Sequence, residues 1–375
     1  MIFDISDASF KAIMKDESLY LPIRWEGSDF FMTLDNLFNH YIKKIESVSR
    51  ETSYCSKNVY VDVKKIRKVC KQLTKTVSFY LDGFPSKAYV YFGKIMDLLM
   101  QQPLRIYQKN VMEQFGKSGS RYEDELKLFR VVCVNDNRPY PRDRVFHTPY
   151  NLRSKVSTSR YSIAGYPSLY LGTSLDLCCE EIHMNPYKDF ALASMFRLER
   201  TLEYTNTYIR VIELGVKPQD FVNTEVDNEN YARHISHSQL EREEVRAAYL
   251  LWYPLIAACS YIRTNKNDPF AAEYIIPQLL MQWVRSEIGA KKEAEYDQLI
   301  GIRYFSCASI KASDMGFNYV FPTSSRQKAA ELPYCSVLAR NFRLTNPVYI
   351  HEYSDNYSCE RSLLKSDDFD FIGSY

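Results

Sequence analysis

From Leu34 to Ile45 the apolar positions fall at Leu34, Leu37, Phe38, Tyr41, Ile42 and Ile45. That three-and-four spacing predicts a helix with one buried face. The pattern returns from Val61 to Leu73, with Val63, Ile66, Val69, Cys70 and Leu73 on one side and Lys64, Lys65, Arg67, Lys68 and Lys71 elsewhere. Such a basic run could meet phosphate or an acidic partner, but the wet side of a helix accounts for it more simply. Asp82-Gly83-Phe84-Pro85 reads as a turn, and Ala88 to Met100 as another helix.

After a small, polar linker at Phe115–Arg121 the pattern changes. Leu128–Val134 is an unbroken apolar strand, followed by candidate strands at Ser168–Gly172, Tyr208–Leu214, Leu299–Phe305 and Phe317–Phe321. Helices are expected at Glu243–Ile262 and Ala272–Val284, and a short one after Gly172. The expected organisation is therefore a mostly helical domain over 1–118, an α+β domain over 122–350 with a helical insertion, and a polar, acidic tail over 353–375. The helical domain is expected to restrain, oligomerise or trigger the rest.

Composition narrows the partners. A net charge of +2 over 375 residues gives no basic field, so general nucleic-acid binding has no support. The longest apolar run, Ala247–Ile262, is too short for a membrane span and includes Pro254. The opening MIFDISDASF has acids where a signal peptide needs basic residues, and the nine cysteines form no CxxC pair. Both favour a reduced, cytoplasmic chain. His234 and His237 are the one close histidine pair, set in a charged segment, so no metal site is expected. Gly116-Lys117-Ser118 lacks the earlier glycine a phosphate loop needs, because Val111 stands there.

Two features suggest chemistry. Arg130 sits inside an apolar strand, and a guanidinium buried there must meet an internal carboxylate or a ligand anion. Those two readings stay open, and Arg160 shares them. In the helix after Tyr170, a 100° step places Leu175, Cys178, Cys179 and Ile182 on one side. Glu180 then points to solvent and Glu181 to the edge of the buried face.

These residues, taken in order, resemble a family. Phe129-Arg130, Arg160-Tyr161-Ser162, Gly165-x-Pro167, Leu169-Tyr170-Leu171-Gly172, Glu181, and Gly301-Ile302-x-Tyr304-x-Ser306 before Asn318 are similar to the RES domain. The resemblance implies an α+β fold with an ADP-ribosyltransferase-like split β-sheet core, and NAD+ as substrate. It further implies a toxin that cleaves the nicotinamide–ribose bond by hydrolysis or phosphorolysis. The alternatives are mono-ADP-ribosylation of a macromolecule, or a silent NAD or ADP-ribose-binding module. By this resemblance Arg130 grips the phosphates or ribose, Tyr170 holds the nicotinamide half, and Glu181 is the catalytic carboxylate. Arg160, Tyr161 and Ser306 line the same pocket. An antitoxin or activating partner, and self-association, are expected. The chain departs from the family at Tyr161-Ser162, where an aromatic-Asn step is common, and at Ala272-Glu273-Tyr274, where toxins often place a small hydroxyl residue. The acceptor is not legible.

Overall fold

The computed structural model describes residues 2–3, 6–27, 29–51, 60–104, 127–185, 189–198, 210–222, 240–263, 265, 268–290, 300–323 and 333–372. The Phe115–Arg121 linker and the His234/His237 pair lie outside these residues. The chain forms two compact units, one from Met1–Ile106 with Glu213–Trp283, the other from Tyr107–Ile212 with Val284–Tyr375.

In chain order the first segment supplies β1 (Ile2–Phe3), α1 (Asp7–Met14), β2 (Ile23–Arg24), α2 (Phe30–Glu51), β3 (Val61–Asp62), α3 (Val63–Leu81) and α4 (Pro85–Met100). It is followed by β4 (Leu128–Val134), β5 (Ser168–Gly172), α5 (Leu175–Glu181), β6 (Phe190–Leu198) and β7 (Arg210–Leu214). Next come α6 (Glu243–Ala258), β8 (Tyr261–Ile262), α7 (Ile275–Ala290), β9 (Ile300–Tyr304) and β10 (Asn318–Pro322). The chain closes with α8 (Ser336–Asn341), β11 (Phe342–Thr345), β12 (Val348–Tyr349), α9 (Asn356–Leu364) and β13 (Phe369–Asp370).

The helical unit is built around α6, whose residues Val245 to Ala258 are all buried. A helix apolar on every side needs partners all round, and α3 is one of them. This explains a difference from the sequence expectation. Residues 213–283, read as an insertion in the α+β domain, cluster instead with the N-terminal helices. Pro254 lies inside α6, and a proline cannot donate to the carbonyl four residues back. That carbonyl belongs to Leu250, and the Tyr41 hydroxyl donates to it at 2.8 Å. Tyr253 and Tyr249 likewise donate to the Leu19 and Val216 carbonyls, at 2.9 and 3.1 Å. Part of the chain's complement of 30 tyrosines thus serves as buried hydrogen-bonding packing. Asp62 caps α3 by accepting from the amides of Lys64 and Lys65. Among the described residues, no helix is long and apolar enough to cross a membrane.

The second unit is organised by one sheet in the order β13-β11-β6-β4-β5-β10-β9-β7, with β12 added on β6. The fold is thus mixed α and β. The end of the chain differs from the expected tail. Asp355 caps α9, which buries Cys359 and Leu363, and β13 pairs with β11 through Leu344↔Asp370 and Thr345↔Phe369. Burial of those few apolar residues is enough to hold an acidic stretch against the sheet.

Candidate active site

The sheet opens near its middle. β4 pairs with β6 along its whole length, from Leu128↔Phe196 to Val134↔Phe190. It meets β5 at one register pair, Phe129↔Gly172. β5 pairs instead with β10 along its full length, including Asn318↔Gly172. Arg130 is the next residue on β4 after the junction. Its Nη1 donates across the opening to the Tyr170 carbonyl at 2.8 Å. Its Nε is shielded from solvent and has no hydrogen-bond partner. Burial pulls the guanidinium down to about 10, so it remains a cation at neutral pH. Of the two partners foreseen for this arginine, no internal carboxylate pairs with it among the described residues.

Glu181 reaches the same junction from the other side. Ser174 caps α5 by accepting from the Leu177 amide, which starts the helix two residues after β5. Gly172 lets that helix sit directly on the strands, because a Cβ there would stand 2.7 Å from the Cys178 sulfur. The Cys178 thiol in turn donates to the Phe129 carbonyl at 3.3 Å. At the far end of the helix, Asn318 Nδ2 donates to Glu181 Oε1. Asn318, Gly172 and Phe129 form one row across three strands, so the carboxylate is tied to the row beside Arg130. Glu180 lines a separate surface hollow with Asp176, Cys179, His183 and Lys311. The buried face of α5 is Leu175, Leu177 and Cys178. Ile182, expected on that face, is 36% exposed. The helix stops at Glu181, and the backbone turns away through His183 at a φ of 51°.

Tyr170 is fixed at its hydroxyl by two serines, Ser159 and Ser162, each with Oγ at 2.7 Å. Reciprocal main-chain bonds between Ser159 and Ser162, at 2.8 and 3.2 Å, close the turn that carries Arg160 and Tyr161. Both of those side chains are buried. The Tyr161 ring packs on Tyr304 of β9 at 4.6 Å between centroids, with a 53° tilt. Burial pushes the Tyr304 phenol well above its ordinary range; Glu181, Tyr170 and Tyr161 push the same way and Arg160 opposes. Those four side chains therefore share one electrostatic neighbourhood around Tyr304. Cys178, whose thiol is pushed up chiefly by burial, feels both Glu181 and Arg130. The result is two cations, one carboxylate and three phenols gathered at the opening of a sheet.

Ser306 is buried past the end of β9, and its Oγ accepts from the Ala308 amide at 3.1 Å, a contact that shapes the turn. Glu273 is buried within the helical unit. Three contributors were not singled out from the sequence: Ser159, Tyr304 and Asn318. Tyr304 and Asn318 fall within the quoted motif. Their place in the site becomes legible only once strand register is known.

No family model matches this chain, and no solved structure matches it. Among curated proteins, one from Bacillus subtilis (strain 168) named "Putative toxin YopC" is 28% identical over 348 residues. The match spans 92% of this chain and 71% of that protein.

Proposed function

We propose that this chain is a toxin that consumes NAD+ by breaking the bond between nicotinamide and ribose, on a sheet split in the manner of ADP-ribosyltransferases. The observation that carries the reading is Arg130. It is a half-buried cation with one main-chain acceptor, a donor shielded from solvent and unused, and Tyr170 and Glu181 on the other side of the same opening. A guanidinium kept without a carboxylate is suited to a ligand anion such as a diphosphate. The similarity to a protein named as a toxin supports the biological role.

The chemistry fits the side chains. Loss of a pyridinium from ribose passes through an oxocarbenium-like centre. The leaving group departs neutral, so a strong general acid is not needed. Glu181, oriented by Asn318, would stabilise the developing positive charge and accept from ribose hydroxyls. Tyr170, locked by Ser159 and Ser162, would offer its ring to the flat cation, an attraction worth roughly 0.5–2 kcal/mol. Arg130 would bind the phosphates, with Arg160 and Tyr161 behind it. The protein would act in the cytoplasm, where NAD+ is available, and a cell carrying it would require an antitoxin or a trigger.

The test is to incubate the purified protein with NAD+, with and without inorganic phosphate, and to follow the products over time. Free nicotinamide with ADP-ribose or its phosphate is the expected result. Glu181→Gln should lose at least about 100-fold in rate while still binding NAD+, since the amide keeps shape and loses charge (about 2.7 kcal/mol of transition-state stabilisation). Labelling of a macromolecule without free product would move the assignment to ADP-ribosyl transfer. Full activity in Glu181→Gln would overturn the site.

A further inference from the structure

The sheet-bearing unit holds a second gathering of cations and rings that the proposed reaction does not use. The Arg153 guanidinium lies 4.8 Å from the Tyr150 ring centroid and 5.6 Å from that of Tyr166. Arg285 lies 4.5 Å from the same Tyr166 ring. Among the described residues, neither guanidinium has a carboxylate or a carbonyl accepting from it, and Arg285 Nη1 is sealed from solvent without a partner. Tyr150 is 3% exposed, and its amide donates to the Pro333 carbonyl at 2.7 Å. Tyr166 is 39% exposed, on a turn fixed by Gly165 at a φ of 80° and by a bond from the Gly165 amide to the Val156 carbonyl. One ring is therefore a seated floor and the other an accessible edge.

Burial holds Arg285 below its usual range, and Arg153, a like charge sharing the Tyr166 ring, pushes the same way. Ring faces attract each cation but leave the in-plane N–H donors unused. An oxyanion lying between two such forks can accept from both and neutralise both. We propose that Arg153 and Arg285, set around Tyr166, form a binding site for a small phosphate-bearing ligand. Two cations in a chain of net charge +2 make no track for a nucleic-acid backbone, which needs many phosphate contacts in a row. A single phosphate or diphosphate group matches the number of donors. The site is independent of the NAD+ reading and stands or falls separately.

The experiment is calorimetric titration of the full chain at low ionic strength with inorganic phosphate, pyrophosphate and adenosine monophosphate, and with a short single-stranded oligonucleotide. The three small ligands separate free phosphate from a nucleotide's phosphate. Binding of at least one of them is expected, weakened about tenfold or more in both Arg153→Gln and Arg285→Gln. A component of that binding should survive in Arg130→Ala and be removed by Arg153→Gln. Arg153 makes no buried hydrogen bond, so Arg153→Gln tests the site even where Arg285→Gln fails to fold. Unaltered binding in Arg153→Gln, loss confined to Arg130→Ala, no binding of any small ligand, or binding of the oligonucleotide alone would each overturn the assignment.

Discussion

Replacing Arg130 by Met asks whether this arginine supports the fold or serves a ligand. An arginine bracing the structure through an ion pair typically costs about 3–5 kcal/mol when its partner is left behind. Among the described residues Arg130 has no such partner. It makes one hydrogen bond, to the Tyr170 carbonyl, and leaves Nε unsatisfied. Losing the bond from a charged donor costs about 1.5–3 kcal/mol. Against this, burial that pulls the guanidinium down to about 10 corresponds to a charging penalty on the order of 3 kcal/mol, relieved by Met. Arg130 stays charged throughout the neutral range, so this balance should not vary with pH near neutrality. The two contributions nearly cancel, and Arg130→Met should unfold within about 1–2 kcal/mol of the parent. For a unit of this size that is a melting shift of no more than about 8 °C. The same variant should lose about 10- to 150-fold in affinity for NAD+, the value of one charge-assisted contact to a phosphate. Denaturant unfolding and equilibrium titration of NAD+ measure the two sides. A stability loss above about 3 kcal/mol with unchanged NAD+ affinity would refute the reasoning and make Arg130 a structural brace.

Other perturbations test the supporting geometry. Asn318→Asp places a second carboxylate against Glu181, so one of the pair must hold a proton with a raised pKa. Its melting temperature relative to the parent should recover as pH falls from 8 to 5, and Asn318→Ala should show no such recovery. Gly172→Ala drives a methyl into the Cys178 sulfur and should destabilise the sheet unit by about 1–3 kcal/mol, read by denaturant unfolding. His147 is buried, with Nε2 accepting from the Cys335 amide at 2.9 Å and Nδ1 donating to the Thr148 carbonyl at 2.8 Å. Burial holds it neutral, with a pKa of about 4. The unfolded chain takes up the proton near 6.5, so this contribution is complete above that pH and is lost as pH falls toward 4, by up to about 3 kcal/mol. Melting curves from pH 7.5 to 4 should show that slope, and His147→Gln should flatten it.

Much of the local structure was legible because it depends on neighbours in sequence. Helical spacing located α2 and α3, and a continuous apolar run located β4, since a one-sided or fully buried element must carry that pattern. The adjacent acids were not separable in the same way: both are half-buried, and the bond from Asn318 alone distinguishes Glu181, while Glu180 lines another hollow. Element ends were less legible. The helix expected to run to Ile262 stops at Ala258, where the chain enters the short strand β8. The acidic end of the chain read as a tail because its few apolar residues form no run. Their burial depends on a groove supplied by distant strands.

The site itself was legible as a set of residue types and not as an arrangement. Sequence alone determined that a cation stood in an apolar strand and that two adjacent acids ended the helix after β5. Only tertiary structure decided what that cation meets. The single register pair Phe129↔Gly172 opens the sheet beside Arg130, and the pairing of β5 with β10 brings Asn318 to Glu181. Strand register is set by packing between segments far apart in the chain, where no local spacing records it. The same holds for Arg153 and Arg285, whose shared ring joins side chains more than a hundred residues apart. Local pattern fixes which side of an element is buried, and long-range packing fixes which buried groups face one another.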